Sequence, residues 1–246
     1  MKWRRQKNVV DQSIAEEKPS IKAVGTKLID AARSKKKGEV FKDVHYFEVY
    51  DQHFLHLKDR KINLLEIGIA KGGSLWMWKN YFKNSTITGV DIKKGSKKWK
   101  GDNIEVIIGD QNDSAFLENL GQTKGSFDII IDDGSHISGH QIKSFEILFK
   151  YVKDAGVYVI EDLGTSYWPK FGGGLNKPDS CIERLKRLID DIHLCHCRKD
   201  TETYSDPIPK TYFEENISSI HFYNSMCFIY KKGIGFNPES SKAIRI

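Results

Sequence analysis

The chain has 246 residues, 39% of them hydrophobic and 29% charged, with a formal net charge of +6. That length suits one large α/β domain with a small appended segment, and it can bury a sizeable core. Four cysteines in a chain this long make no disulfide framework, and no apolar run is long enough to span a bilayer.

The opening residues Met1-Lys2-Trp3-Arg4-Arg5 lead into polar sequence and not into an apolar stretch, so the expected location is cytoplasmic. Residues 1 to about 60 lack strand signals. Within them Val44, Phe47, Tyr50, Phe54 and Leu57 recur at helical spacing, which predicts an amphipathic helix over His45–Leu57. Residues 1–60 therefore read as an N-terminal helical extension and 61–246 as the main domain. The lysine runs at 33–37 and 93–100 read as solvated loops, which weighs against a nucleic-acid partner.

From Ile62 the pattern changes. Apolar runs at 62–68, 86–92, 104–108, 127–133 and 156–162 predict five strands. Helical segments separate most of them, notably Ser74–Phe82 and Gln141–Lys153. Near-continuous Ile/Val runs alternating with helices argue for a parallel sheet covered on both faces. Trp76 and Trp78, two apart on one helix, fall on different faces, and at least one belongs to the core. His193, Cys195 and Cys197 alternate, which predicts an amphipathic strand after a helix; paired cysteines this close do not make a zinc knuckle. His221–Tyr223 and Met226–Tyr230 bracket Asn224-Ser225, a hairpin signal. No internal repeat is visible.

Ligands of an open α/β sheet bind at the carboxyl ends of its strands. Glu66, Gly68, Gly72, Gly73 and Ser74 join the first strand to its helix, whose free N–H groups suit a carboxylate. The G-x-G-x-x-G dinucleotide spacing is absent. The loop resembles the looser E-x-G-x-x-x-G-G-S form of methyltransferases, although a tight turn that packs helix on strand would look the same. Asp91 ends the second strand, where a carboxylate can accept both ribose hydroxyls of a nucleoside. Asp110 or Gln111, after the third strand, is placed to meet an adenine edge.

Ile131-Asp132-Asp133-Gly134-Ser135-His136 is followed one strand later by Ile160-Glu161-Asp162. If those strands are neighbours, Asp133, Glu161 and Asp162 crowd one volume and repel one another unless a hard cation such as Mg²⁺ relieves them. The alternative is that each caps a following helix. His136 lies on the same loop. An alcohol's pKa exceeds that of histidine by about 9, or about 12 kcal/mol, so histidine alone cannot hold an alkoxide; a metal-lowered hydroxyl can lose its proton to it. His140 with His136 and Asp133 offers a two-histidine, one-carboxylate iron site as a competing reading.

At Gly72–Trp78, Gly109–Gln111, Ile130–His136 and Val159–Trp168 the chain resembles the metal-dependent sugar O-methyltransferases of macrolide tailoring, of the mycinamicin type. The resemblance covers about Tyr46 to Tyr230. It implies a Rossmann-like class I methyltransferase fold: a mainly parallel seven-stranded sheet with a C-terminal antiparallel hairpin. It implies S-adenosyl-L-methionine bound across Glu66–Ser74, Asp91 and Asp110–Gln111. It also implies Mg²⁺ on Asp133, Glu161 and Asp162, with His136 as general base. The large N-terminal domain of some macrolide enzymes is not seen, which widens the expected acceptor to a sugar, a glycosylated metabolite or a surface polysaccharide. Tyr167-Trp168-Pro169 with Gly172–Gly174 reads either as an aromatic wall and lid over that acceptor or as an ordinary exposed loop. Two competing functions are a nucleic-acid methyltransferase and a cofactor-binding partner protein of the cephalosporin hydroxylase-like branch. Whether the chain forms a homo-oligomer is left open.

Overall fold

The five apolar runs form strands β1 (Lys61–Ile67), β2 (Asn84–Asp91), β3 (Ile104–Ile108), β4 (Phe127–Asp132) and β5 (Val152–Ile160) in a computed structural model, which describes residues 27–199, 203 and 208–233. These pair in parallel: β1 with β2 and β4, β2 with β3, and β4 with β5. The hairpin of β6 (Ile217–Tyr223) and β7 (Met226–Lys231) closes the sheet, with β7 antiparallel to β5. Ser225 turns it at a φ of 65°, a conformation that short polar residues tolerate. The resulting order, β3-β2-β1-β4-β5-β7-β6, is the seven-stranded class I arrangement that the resemblance implied.

Helices cover both faces because successive side chains of each strand point to opposite sides. Leu64, Ile129, Ile131, Val157, Val159 and Phe228 face one layer, packed against α1 (Leu28–Arg33), α2 (Val44–Phe54) and α3 (Gly73–Tyr81). Leu65, Ile130, Tyr158, Ile160 and Ile229 face the other, against α4 (Ser114–Lys124), α5 (Ser138–Leu148) and α6 (Cys181–Cys197). Asp113 caps α4 by accepting from the N–H groups of Ala115 and Phe116, and Ser180 caps α6. A short helix, α7 (Tyr212–Asn216), leads into β6.

The predicted helix near His45 is α2 followed by a single 3₁₀ turn at Leu55–Leu57. It joins the sheet's own core: Tyr46, Tyr50 and Phe54 are fully buried beside Trp78 and Phe228. Asp51 links three helices, accepting from the Leu28 N–H at the start of α1 and from the Tyr81 hydroxyl at the end of α3. Residues 1–26 of the predicted extension lie outside the described residues. Both Trp76 and Trp78 are buried.

Two expectations are corrected. His193, Cys195 and Cys197 are in helix α6, not a strand. The governing period is the longer one, since Ile182, Leu185, Leu188 and Ile192 recur at three and four residues and pack into the core, and Cys195, three further on, is buried on the same face. The predicted helix Gln141–Lys153 ends at Leu148; a 3₁₀ turn follows, and Val152 already belongs to β5, paired with Phe127.

Candidate active site

The ends of β1, β2, β4 and β5 converge because parallel pairing aligns their carboxyl termini. Asp132 pairs with Ile160, so Asp133 and Glu161 follow as neighbours; the Asp133 N–H donates to the Ile67 carbonyl and the Glu161 N–H to that of Asp132. A cleft of about 470 Å³ opens there, lined among others by Gly68, Asp91, Asp110, Asp133, His136 and Asp162. Gly68 has a φ of 84°, and a Cβ on it would stand 2.1 Å from the Asp133 carbonyl oxygen, so only glycine lets the β1 and β4 tips meet.

The Asp91 side of the cleft is partly prearranged. Asp91 accepts from the Ala70 N–H (3.0 Å) and the Lys93 N–H (2.8 Å), one on each carboxylate oxygen. Each oxygen keeps a further lone pair for a ligand hydroxyl. Gln111 lines the cleft with both ends of its amide engaged: Nε2 donates to Asp132 (2.6 Å) and Ser144 (3.0 Å), and Oε1 accepts from the Ser135 N–H. It braces the β4 loop, which leaves exposed Asp110 the freer of the two predicted adenine contacts. Glu66, Gly72, Gly73 and Ser74 lie behind the cleft and do not line it. Glu66 is fully buried and accepts from the Ser74 hydroxyl (2.7 Å) and the Trp78 indole (3.2 Å), tying α3 to β1. Gly72 and Gly73 sit against the Trp99 ring and the Glu39 backbone, where a side chain would collide.

At the chemical end, Asp133, His136 and Asp162 offer ligand atoms that all lie within 4.8 Å of one another. His136 and Asp162 both hold left-handed backbone, at φ 58° and 55°, which non-glycine residues adopt at a cost of roughly 1–2 kcal/mol each. The surroundings fix them there. The Thr165 hydroxyl is shared between the His136 and Asp162 carbonyls, and the Tyr46 hydroxyl donates to Asp162 Oδ1 at 2.8 Å. His136 Nε2 stands 3.6 Å from Asp162 Oδ2, and its buried Nδ1 has no partner among the described residues. His140 lines the same cleft, but its Nδ1 is bound to the Ser135 hydroxyl at 2.9 Å.

Glu161 is buried one step deeper. Its Oε1 accepts from the Tyr50 hydroxyl and the Lys42 ammonium, each at 2.5 Å, and the same ammonium reaches Asp133 Oδ2 at 3.0 Å. Burial raises the Asp133, Glu161 and Glu66 carboxyls to about 7; mutual repulsion adds to this and Lys42 opposes it. Burial alone would lower the Lys42 pKa, but Asp133, Glu161 and Glu66 outweigh it and hold the ammonium charged. Buried Glu66 and Glu161 and partly exposed Asp133, with Asp162 beside them, thus share one lysine. This excess of negative charge on hard oxygen donors fits a divalent cation such as Mg²⁺.

Sequence reasoning missed Lys42, Tyr46 and Tyr50, which α2 and the irregular segment before it deliver to the strand tips. The available signal was the i,i+4 pair Tyr46/Tyr50, two hydroxyls on the buried stripe of α2. The Leu163–Phe171 segment forms two 3₁₀ turns held to the hairpin by Ser225, which accepts from the Leu163 and Gly164 N–H groups. Tyr167 and Trp168 are exposed and stand outside the cleft lining. No described helix is long and apolar enough to cross a membrane.

No family model matches the chain. It is 40% identical over 209 residues to mycinamicin VI 2''-O-methyltransferase of Micromonospora griseorubida, covering 80% of this chain and 50% of that protein. It is 37% identical over 195 residues to 8-demethyl-8-alpha-L-rhamnosyl tetracenomycin-C 2'-O-methyltransferase of Streptomyces olivaceus, covering 76% and 50%. Among solved structures, it superposes on the MycE methyltransferase of the mycinamycin biosynthetic pathway, in complex with Mg and SAH, with a TM-score of 0.71 at 39% identity. That match covers 78% of this chain and 51% of the other. The chain spans about half the length of the curated relatives it matches.

Proposed function

We infer that the chain belongs to the metal-dependent sugar O-methyltransferases of antibiotic tailoring, and that it moves a methyl group from S-adenosyl-L-methionine to a hydroxyl of a sugar-bearing acceptor. One observation carries this reading: a single cleft joins the Asp91 carboxylate at a strand tip to a cluster of two carboxylates and one imidazole, Asp133, Asp162 and His136. The relatives support the reading, since they are named as O-methyltransferases, one of them of a rhamnosyl-bearing compound, and a structural relative holds Mg and SAH. The acceptor class is a small molecule or glycan with a free sugar hydroxyl.

Asp91 would hold the ribose hydroxyls of the donor, and the backbone of Gly68 would allow the donor's close approach. Asp133, Glu161 and Asp162 would hold Mg²⁺. The bound ion supplies Lewis acidity, lowering the pKa of a hydroxyl placed against it. His136, which lines the cleft, takes the hydroxyl proton, and Asp162 stabilises the resulting imidazolium from 3.6 Å. Thr165 and Tyr46 keep that pair in register through the strained loops. The cleft walls hold the two substrates together, which converts a bimolecular reaction into a local one.

His136→Ala tests the role of the imidazole. It should keep S-adenosyl-L-methionine binding within about threefold of the parent by calorimetry, while turnover falls at least about a hundredfold, the usual contribution of a positioned base. Normal turnover in that variant would dismiss His136 as the base.

A further inference from the structure

Lys42 Nζ stands 2.5 Å from Glu161, 3.0 Å from Asp133 and 3.9 Å from Glu66, with its side chain 1% exposed. One ammonium therefore sits where the carboxylates meet. We propose that Lys42 is a tethered counter-ion that occupies the acidic cluster when no divalent cation does, and withdraws as one enters. This rests on the metal reading above and adds a role for a residue of the N-terminal segment.

Three features support it. Buried carboxylates need a positive partner, and one lysine neutralises only part of this cluster, so the folded chain keeps the negative charge that draws in a divalent ion. The lysine head is a point charge on a flexible stem and can leave by side-chain rotation, which a forked, bidentate arginine would resist. Its neighbours favour that exit. Phe41 and Asp43 are exposed, and the segment between α1 and α2 has no regular structure beyond a single bridge from Glu39 to Gly72. Tyr50 donates to Glu161 independently of Lys42, so the carboxylate would keep one donor when the lysine leaves. Because Phe41 lines the donor cleft, withdrawal of Lys42 would also shift the rim over which the methyl donor binds.

The test is calorimetric titration of Mn²⁺ and Mg²⁺ into the chain and into Lys42→Met, without methyl donor. Removing a competing unit charge at such short range should tighten divalent binding by at least about tenfold. Lysine acetylation read by mass spectrometry provides a second measurement on the unaltered chain: Mg²⁺ should raise Lys42 labelling at least about fivefold relative to the exposed lysines, as a buried ammonium moves to water. If the parent chain binds neither ion, the metal reading fails and this inference fails with it. If the parent binds but folded Lys42→Met binds no more tightly, the inference alone is overturned. If Lys42→Met does not fold, labelling decides, and a rate that does not rise with Mg²⁺ overturns displacement.

Discussion

Acidification should release the clamp that fastens α2 to the C-terminal hairpin. His53 is buried on α2, stacked on Phe228 with centroids 4.0 Å apart, and each ring nitrogen meets a tyrosine hydroxyl: Nδ1 with Tyr230 at 2.6 Å and Nε2 with Tyr223 at 2.8 Å. A neutral imidazole suits this, donating from one nitrogen and accepting at the other. A protonated ring can only donate, so one hydroxyl would lose its acceptor. Burial, reinforced by His221 and His56, lowers the His53 pKa to about 4. The unfolded chain, with an ordinary value near ~6.5, takes up the proton first, so stability is lost as pH falls through that window. The linkage amounts to about 2 kcal/mol by pH ~5 and about 3 kcal/mol by pH ~4. Urea unfolding of the parent and of His53→Gln between pH ~7 and ~4.5 isolates this contribution, because the remaining groups titrate alike in both. The parent should lose about 2 kcal/mol more than the variant by pH ~5. Parallel stability curves would mean that His53 binds its proton equally well in the folded and unfolded chain. The clamp bears on function because the same helix carries Tyr46 and Tyr50 to the acidic cluster.

Two further substitutions probe the frame of the site. Asp132 is fully buried and accepts from Gln111, Ser144 and Tyr158; Asp132→Ala strands those donors and should cost about 3–5 kcal/mol in chemical denaturation, whereas Asp132→Asn, which keeps one acceptor, should cost about 1–2 kcal/mol. Equal losses would show that acceptor count is not what matters there. Gly68→Ala forces a Cβ into the Asp133 backbone at positive φ and should lower stability by more than about 3 kcal/mol; an unchanged melting temperature would mean that the strand tips are not packed as described.

The sheet was legible because parallel strands buried on both faces appear as unbroken Ile/Val runs, and Asp133, Glu161 and Asp162 fall at the ends of two such runs. Their convergence followed from strand adjacency, which the helices between them signalled. Other features were not local. Lys42 lies 91 residues from Asp133 and 119 from Glu161, and nothing near it distinguishes it from the chain's other lysines. Glu66 looked like a ligand residue because it precedes the glycine loop, but its side chain points behind that loop to Ser74 and Trp78. In α6 a five-residue alternation competed with a longer 3.6-residue period, and the longer pattern governs because it buries more surface. The overrun of the α5 prediction had a similar origin: no glycine or proline marks Leu148, and the stop comes from Val152 pairing in the sheet.

The proposed function requires that a divalent cation on the β4 and β5 tips enable methyl transfer to a sugar hydroxyl. Isotope-labelled S-adenosyl-L-methionine, incubated with the chain and a set of glycosylated acceptors and analysed by mass spectrometry, addresses it directly. The label should appear on a sugar oxygen, vanish with chelator and return with Mg²⁺. Labelling that persists at full rate in chelator would rule out a metal-dependent transfer.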